Sequence, residues 1–500
     1  MFAVTAPQNQ NSSLVLALDV GTSSVRAALY DSQGNRVEGT DVKLERTLTA
    51  TKDGGAEINA NEAVGQVAQA IDEVLSLSSS LTGQIELVAT SCFWHSLVGV
   101  DNKGNAVTPV LGWADTRAAV VIDELKNLFD EKETHKRTGC RLHASYLPAK
   151  ILWLKRKHES VFNSVSRWLS FAEFLTLKFF DDDTASISMA SASGLFDINK
   201  QIWDEEFIEK LNLKTSALPP IADEHKTFSN LKNEYAVRWS GLKNALWYPA
   251  IGDGAANNIG AGCVSKNKAA LMIGTSGAMR VLWRGEPPVD LPPFLWCYRA
   301  SHEIVVCGGA LSDGGGLYQW MKNSLKLEGT DDELENRIAE MPPDFHGLTI
   351  LPFLAGERST GWHSDATGAI LGLMVNTEPI EILCAAMESV AYRFKLIADA
   401  LFEVATTQEI IASGGALRES PVWTQMIANV LGRSLKLSDT REASSRGAVL
   451  LALEASGKLK NIPDAPTPSG QVFESDMSRH SLYKSALQRH NEFYRQLIDK

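Results

Sequence analysis

One phrase occurs twice in this chain. Residues 14–20 (LVLALDV) are an apolar run ending in an acid, followed by the turn Gly21-Thr22-Ser23-Ser24 and by Val25–Tyr30, with Arg26 inside the second run. Residues 270–283 (ALMIGTSGAMRVLW) repeat the arrangement, with the turn Gly274-Thr275-Ser276-Gly277 and Arg280 in the run that follows. A short apolar run, a tight turn of small residues and a second run read as a buried hairpin. The two turns stand 253 residues apart in a chain of 500, so the repeat has the size of a domain. A Gly/Thr/Ser turn offers backbone N–H groups and hydroxyls that converge on an anion. Alone it could close any hairpin. Two such turns, one opening each half, could face each other and grip a polyphosphate from both sides.

Between the hairpins the pattern alternates. Helical periodicity appears at 60–77, 116–129, 381–405, 421–432 and 444–456, and short strand-like runs lie at Leu87–Ala89, Ile304–Cys307 and Glu409–Ala412. Alternation of this kind argues an α/β fold in two lobes. The polar, Pro-bearing stretch 214–250 is the expected crossing. That gives a disordered tail over 1–13, an N-terminal domain over 14–250 and a C-terminal domain over 251–500. Composition narrows the partners. Sixty acidic against 48 basic residues leave a net charge of −12, and no dense Lys/Arg block interrupts the chain. Nucleic acid and anionic membrane surfaces are therefore poor partners. No apolar run reaches the ~18–20 residues of a membrane span, and the first residues show no basic segment leading into an apolar one. The sequon at Asn11 carries no expectation. Six scattered cysteines without a C-x-x-C pair read as buried thiols of a cytoplasmic protein.

Common nucleotide motifs are absent: there is no G-x-x-x-x-G-K-[ST], and Gly252-Asp253-Gly254 lacks a third glycine in dinucleotide-loop spacing. The stretches Asp19-Val20-Gly21-Thr22-Ser23, Gly112–Arg117, Ile251–Gly254, Gly274–Gly277, Gly368–Glu388 and Ser413-Gly414-Gly415-Ala416 instead resemble, in order, those of the FGGY family of carbohydrate kinases. The resemblance spans nearly the whole chain. It implies two ribonuclease-H-like lobes, as in actin-like ATPases, closing over ATP, Mg²⁺ and a sugar. It also implies Asp253 as the general base, a role that suits a carboxylate within reach of a sugar hydroxyl. Flanked by Gly252 and Gly254, that carboxylate can sit where backbone and substrate approach closely. Asp19, with Asp253, is implied as the Mg²⁺-organising acid, acting through water. Gly21, Thr22, Ser23, Arg26, Gly274, Thr275 and Ser276 are implied around the phosphates. Gly414, Gly415 and Ala416 are implied at the adenosine, with Gly308-Gly309 and Gly314-Gly315-Gly316 bordering the nucleotide.

The expected substrate residues are Trp94, His95, Trp113, Asp115, Arg117 and Asp253. Trp94 offers a flat apolar face and His95 a hydrogen bond to a hydroxyl. Asp115 can accept from hydroxyls, or cap a helix with Arg117 on its outer face. Within the family, residues 113–117, 138–143, 148–150, 193–197 and 356–359 look most like gluconokinase-like members, although Phe93-Trp94 departs from the small-Met pair of many of them. Gluconate is therefore the expected acceptor, with xylulokinase- or ribulokinase-type pentulose kinases as the alternative. A gluconate carboxylate needs a local cation, and Arg117 and then Arg141 are the candidates. An actin-like ATPase without an acceptor and an inactive sugar sensor are the readings from other classes. The expected partners are a small sugar or sugar acid and a second copy of the chain in a homodimer.

Overall fold

Both hairpins form where the repeat puts them. The computed structural model describes residues 13–79, 81, 83–222, 225–440, 442–465 and 470–499. The expected N-terminal tail lies outside them except for Ser13, which begins the first strand. Strands β1 (Ser13–Val20) and β2 (Ser24–Tyr30) pair antiparallel with Asp19 opposite Arg26. Strand β3 (Val42–Glu45) continues antiparallel on β2, and β4 (Gln84–Cys92) runs parallel to β1 on its other side. Two short strands, β5 (Leu246–Trp247) and β6 (Ile251–Gly252), add parallel to β4.

The second sheet repeats that order. Strands β7 (Lys268–Ile273) and β8 (Gly277–Arg284) form its hairpin. Strands β9 (Trp296–Arg299) and β10 (Ile304–Leu311) extend it antiparallel beyond β8. On the other side β11 (Glu409–Ser413) and β12 (Leu435–Ser438) run parallel to β7, and β13 (Gly470–Phe473) closes the edge. Each sheet thus joins an antiparallel set, three strands in the first and four in the second, to a parallel extension. The chain is an α/β protein of two ribonuclease-H-like lobes.

Helices cover the sheets as their periodicity predicts. Helix α1 (Ala60–Leu77) lies on the first sheet, its start capped by Asn59, whose side chain accepts from the N–H groups of Asn61 and Glu62. Helix α2 (Asp253–Gly260) follows β6 directly. The 26-residue α3 (Pro379–Val404) packs on the second sheet with α4 (Pro421–Leu431) beside it. Helix α5 (Ala443–Ala455), late in the chain, returns to lie on β1, β4 and α2 of the first lobe. A Cβ on Gly447 would stand 1.8 Å from the carbonyl oxygen of Ala256, and one on Gly260 1.8 Å from that of Ala443. The two helices meet backbone to backbone because both contact positions are glycine.

The stretch 214–250 is not a free crossing. Trp247 pairs into the first sheet, and Trp239, fully buried, stacks on it and lies edge-on to Phe179. Its apolar residues are too sparse for periodicity, yet two tryptophans suffice to anchor short elements to a core. Ile251–Gly252 also belongs to the first sheet, and the second sheet begins at Lys268. All six cysteines are buried and free, and no described helix is long and apolar enough to cross a membrane.

Candidate active site

Parallel strands that end together bring distant residues together. Asp19 lies beside Ser91, Ile251 is paired with the same Ser91, and Gly252 is paired with Cys92. The N–H of Phe93 donates to Val20 at 3.0 Å, carrying the chain over the end of β1 into Trp94-His95. Asp19, His95 and Asp253 are thus assembled outside the carboxyl ends of three strands, the place where open α/β sheets bind ligands.

The second sheet does the same for its glycines. Ser413 pairs with Met272, so Gly414 emerges beside the turn at Gly274. Gly414 has φ 104°, and a Cβ there would meet the carbonyl oxygen of Ile273 at 2.1 Å, so only glycine fits. Gly314, Gly315 and Gly316 donate to Thr275, Gly274 and Thr275 carbonyls at 3.0, 2.8 and 2.8 Å. The triple glycine is a buttress that holds the second turn. The hydroxyls of Thr22, Ser23, Thr275 and Ser276 take no protein partner among the described residues.

The acids are short of water and of counter-charge. Asp19 is 8% exposed, and its nearest cation, Arg26, stands 3.8 Å away while also facing Glu442 at 3.4 Å. Burial raises the Asp19 carboxyl to about 6 against the pull of Arg26 and the Ser91 hydroxyl, and the nearby Asp253 adds to the rise. Asp253 is the first residue of α2 and accepts from the N–H of Gly254 at 2.8 Å. Burial raises its proton affinity too, opposed by Arg280, the N–H groups of Gly254 and Trp94, and Arg358. Two carboxylates outside neighbouring strand ends, neither within hydrogen-bond distance of a cation among the described residues, suit a hard divalent cation. The cluster His346–Cys384–Glu388 does not. The N–H of Leu348 donates to His346 Nδ1, so Nε2 carries the proton and faces Glu388 at 3.3 Å as a buried pair.

Trp94 is placed differently from the expectation. It is 5% exposed, its Nε1–H donates to the Ser188 carbonyl at 3.0 Å, and its ring lies edge-on to Trp296 and Tyr298. A Cβ on Gly252 would stand 1.7 Å from Trp94 Nε1, and one on Gly254 2.4 Å from its Cζ3. The glycines that flank Asp253 make room for this indole. His95, at φ 61°, presents the useful nitrogen. Nδ1 lies 2.7 Å from the Ala192 carbonyl, which can only accept, so Nδ1 carries the proton and Nε2 holds a lone pair, with Arg358 Nη2 3.5 Å away. Burial and the Arg358 guanidinium keep the ring neutral by holding its pKa well below the usual range. Lys150, itself buried, donates to the carbonyls of His95 (2.6 Å) and Ser145 (2.8 Å) and holds this left-handed turn in place.

Arg117 and Arg141 are already engaged. Arg117 bonds both oxygens of Asp115 and reaches Glu57 at 2.6 Å, with its guanidinium 4.8 Å over Trp153. Asp115 also accepts from the N–H groups of Ala56 and Arg117. Arg141 bonds Glu131 at 2.9 Å and the carbonyl of Pro293 at 3.0 Å. Each expected cation for a substrate carboxylate thus already meets an acid of its own lobe. Trp113 instead lies under Arg358, 5.4 Å from ring to guanidinium. Arg280 and Arg358, given no role in the sequence, both act on Asp253. The signal for Arg280 was there: a charge in the middle of an apolar strand run.

Known proteins agree with this architecture. Residues 14–260 match the N-terminal domain of the FGGY family of carbohydrate kinases, and residues 269–456 match its C-terminal domain. The gluconokinase of Bacillus subtilis (strain 168) is 27% identical over 478 residues, covering 92% of this chain and 91% of its own. A xylulose kinase of Staphylococcus epidermidis is 24% identical over 487 residues, covering 97% of each. The crystal structure of a gluconate kinase from Lactobacillus acidophilus superposes with a TM-score of 0.88 at 25% identity, covering 97% of this chain and 98% of that one. With both domain matches in the family's order and a repeat that folds into two like sheets, the chain belongs to the FGGY family of carbohydrate kinases.

Proposed function

We propose that this sugar kinase transfers the γ-phosphoryl group of ATP to a hydroxyl of a small sugar acid, with gluconate as the acceptor. The observation that carries the reading is Asp253, a half-buried carboxylate at the strand ends of one lobe that faces Arg280 of the other. Its carboxylate takes the proton of the acceptor hydroxyl as that oxygen bonds to the γ-phosphorus. The bond from the γ-phosphorus to the bridging oxygen breaks, and ADP leaves with the electron pair. Burial raises the proton affinity of Asp253, the direction that suits a base. The lone pair of His95 Nε2 accepts from a second acceptor hydroxyl and orients the sugar. The turns at Gly21–Ser23 and Gly274–Ser276, each closed by its glycine N–H donating to the Ser24 or Ser276 carbonyl, hold the phosphates with their hydroxyl groups and the N–H groups that follow, aided by Arg26. Gly414, Gly415 and Ala416 take the adenosine. Asp19, with Asp253, would hold Mg²⁺, which neutralises phosphate charge when bound. Six free thiols suit a cytoplasmic location.

Likeness to the Bacillus gluconokinase over nine-tenths of both chains supports gluconate. The pentulose reading is kept because a ligand-bound xylulose kinase from Lactobacillus acidophilus superposes as well, at a TM-score of 0.88. Coupled-assay turnover on gluconate, xylulose, ribulose and glycerol decides between them, with gluconate expected to show the highest kcat/KM. Asp253→Asn should lower kcat at least ~10²-fold with the best acceptor. A variant near the wild-type rate would remove Asp253 from the role of base.

A further inference from the structure

Interior arginines of this protein meet oxygens: Arg46 bonds Gln66 and the Gly21 carbonyl, Arg446 the Gly260 carbonyl, and others meet carboxylates. The side chains of Arg280 and Arg358 have no such oxygen among the described residues. Arg299 meets Glu286 at 2.6 Å, Arg393 meets Glu357, and Arg117 holds Asp115 and Glu57. Arg280 is 6% exposed, yet its Nη1 has no hydrogen-bond partner and no carboxylate forms an ion pair with it among the described residues. Arg358 is half-buried, its Nε is likewise without a partner, and it too makes no ion pair among those residues. An unpaired buried cation is costly unless something supplies the anion.

Both side chains are held in place by the fold. The Arg280 stem lies where a Cβ on Gly308 would stand 2.9 Å from its Cγ, and its Nε would be 3.0 Å from a Cβ on Gly254. Two glycines thus open the channel along which it reaches Asp253. The Arg358 loop is pinned at its neighbours. Glu357 accepts from Arg393, from Tyr494 Oη at 2.6 Å and from the N–H groups of Thr360 and Gly361, and Ser359 is bonded twice to Ala310. From there Arg358 crosses to the first lobe, over Trp113 and with Nη2 3.5 Å from His95 Nε2.

We infer that Arg280 and Arg358 form the anion fork of the acceptor site and bind the carboxylate of an aldonic acid beside Asp253 and His95. The inference rests on the gluconate reading and assigns the cation that Arg117 and Arg141 cannot supply. The shared chemistry is an oxyanion held by two planar guanidinium groups, and it could come from the acceptor's carboxylate or from the γ-phosphate of ATP. Charge and place favour the acceptor. Arg358 reaches the residues of the first lobe that face the sugar. An acidic substrate beside Asp19 and Asp253 also brings a third negative charge that two guanidinium groups offset.

The test compares gluconate with gluconamide, which keeps the hydroxyls and removes the charge. Wild-type turnover of gluconate is measured first; none would overturn the gluconate reading itself, and the fork with it. Arg358→Gln should lower the gluconate-to-gluconamide ratio of kcat/KM by about 10- to 100-fold, the worth of a charge-assisted bond. It should also raise the gluconate Kd by calorimetry without nucleotide by a similar factor. Arg280→Lys keeps the charge but loses the fork, so its ratio should fall between those two proteins. It also carries the test for this position if Arg280→Gln does not fold. Equal losses with both acceptors, or a change confined to the KM for ATP, would overturn the assignment and give the guanidinium groups to the phosphate.

Discussion

Gly252→Ala puts one methyl group where the structure has no room. Gly252 has ordinary extended angles (φ −66°, ψ 140°), so backbone strain is not at issue. The obstacle is the Trp94 indole, whose Nε1 and Cε2 would lie 1.7 and 1.9 Å from the new carbon. Carbon contacts settle near about 3.5 Å, so the ring must retreat by nearly ~2 Å. Behind it stand Trp296 and Tyr298 with ring centres at 5.9 and 5.2 Å. Retreat also breaks the bond from Nε1 to Ser188. Overpacking of this kind costs about 1–3 kcal/mol and the hydrogen bond about 1, for a loss of about 2–4 kcal/mol. Activity should fall by more, because His95 follows Trp94 in the chain and Asp253 follows Gly252. A shift of ~1 Å at either can cost ~10²-fold in kcat. Trp94→Leu removes the obstacle at its own cavity cost. The double variant should then recover at least ~1 kcal/mol relative to the summed single losses. Urea unfolding of all four proteins measures the cycle, with kcat read on the same samples. Additivity within ~0.5 kcal/mol, or a Gly252→Ala protein as stable as wild type, would refute the steric account.

Three further outcomes are expected. The folded protein holds the Asp19 proton more tightly than the unfolded chain, at about 6 against 3.8, so stability from this group is greatest below pH 4 and is lost as pH rises to about 6. The loss is on the order of 3 kcal/mol. Asp19→Asn should therefore raise the urea midpoint at pH 8 but not at pH 4 while turnover collapses, and an equal shift at both pH values would refute it. Thr22→Val and Thr275→Val should each raise the Kd for MgATP about 3- to 10-fold with unchanged melting; if titration calorimetry finds neither altered, the turns only shape the fold. Arg117→Ala leaves Asp115 buried without its cation and should cost about 3 kcal/mol in stability. It should leave the gluconate-to-gluconamide ratio alone, and a selective loss of gluconate turnover would restore Arg117 to the substrate.

The repeat, the hairpins and the long helices were legible in the chain because each is a local pattern. An apolar run, a Gly-Thr-Ser turn and a 3.6-residue periodicity carry their own physics within a few residues. The family stretches added Asp19 and Asp253 as acids of interest for the same reason. Local patterns say nothing of which partner a charged side chain meets. The sequence left Arg117 to pair with Asp115 or with a substrate carboxylate and offered Arg141 as a second cation, and in the fold Asp115 with Glu57 holds the first while Glu131 holds the second. Arg280 and Arg358 are as ordinary in the sequence, and only the two sheets leave them unpaired beside Asp253. Gly252 and Gly254 looked like room for a substrate, whereas strand pairing at Ser91-Cys92 brings the Trp94 indole there instead. Sequence alone determined two lobes, two turns and two acids. Tertiary structure decided the contacts, because ion pairing and steric fit depend on distances between segments that are remote along the chain.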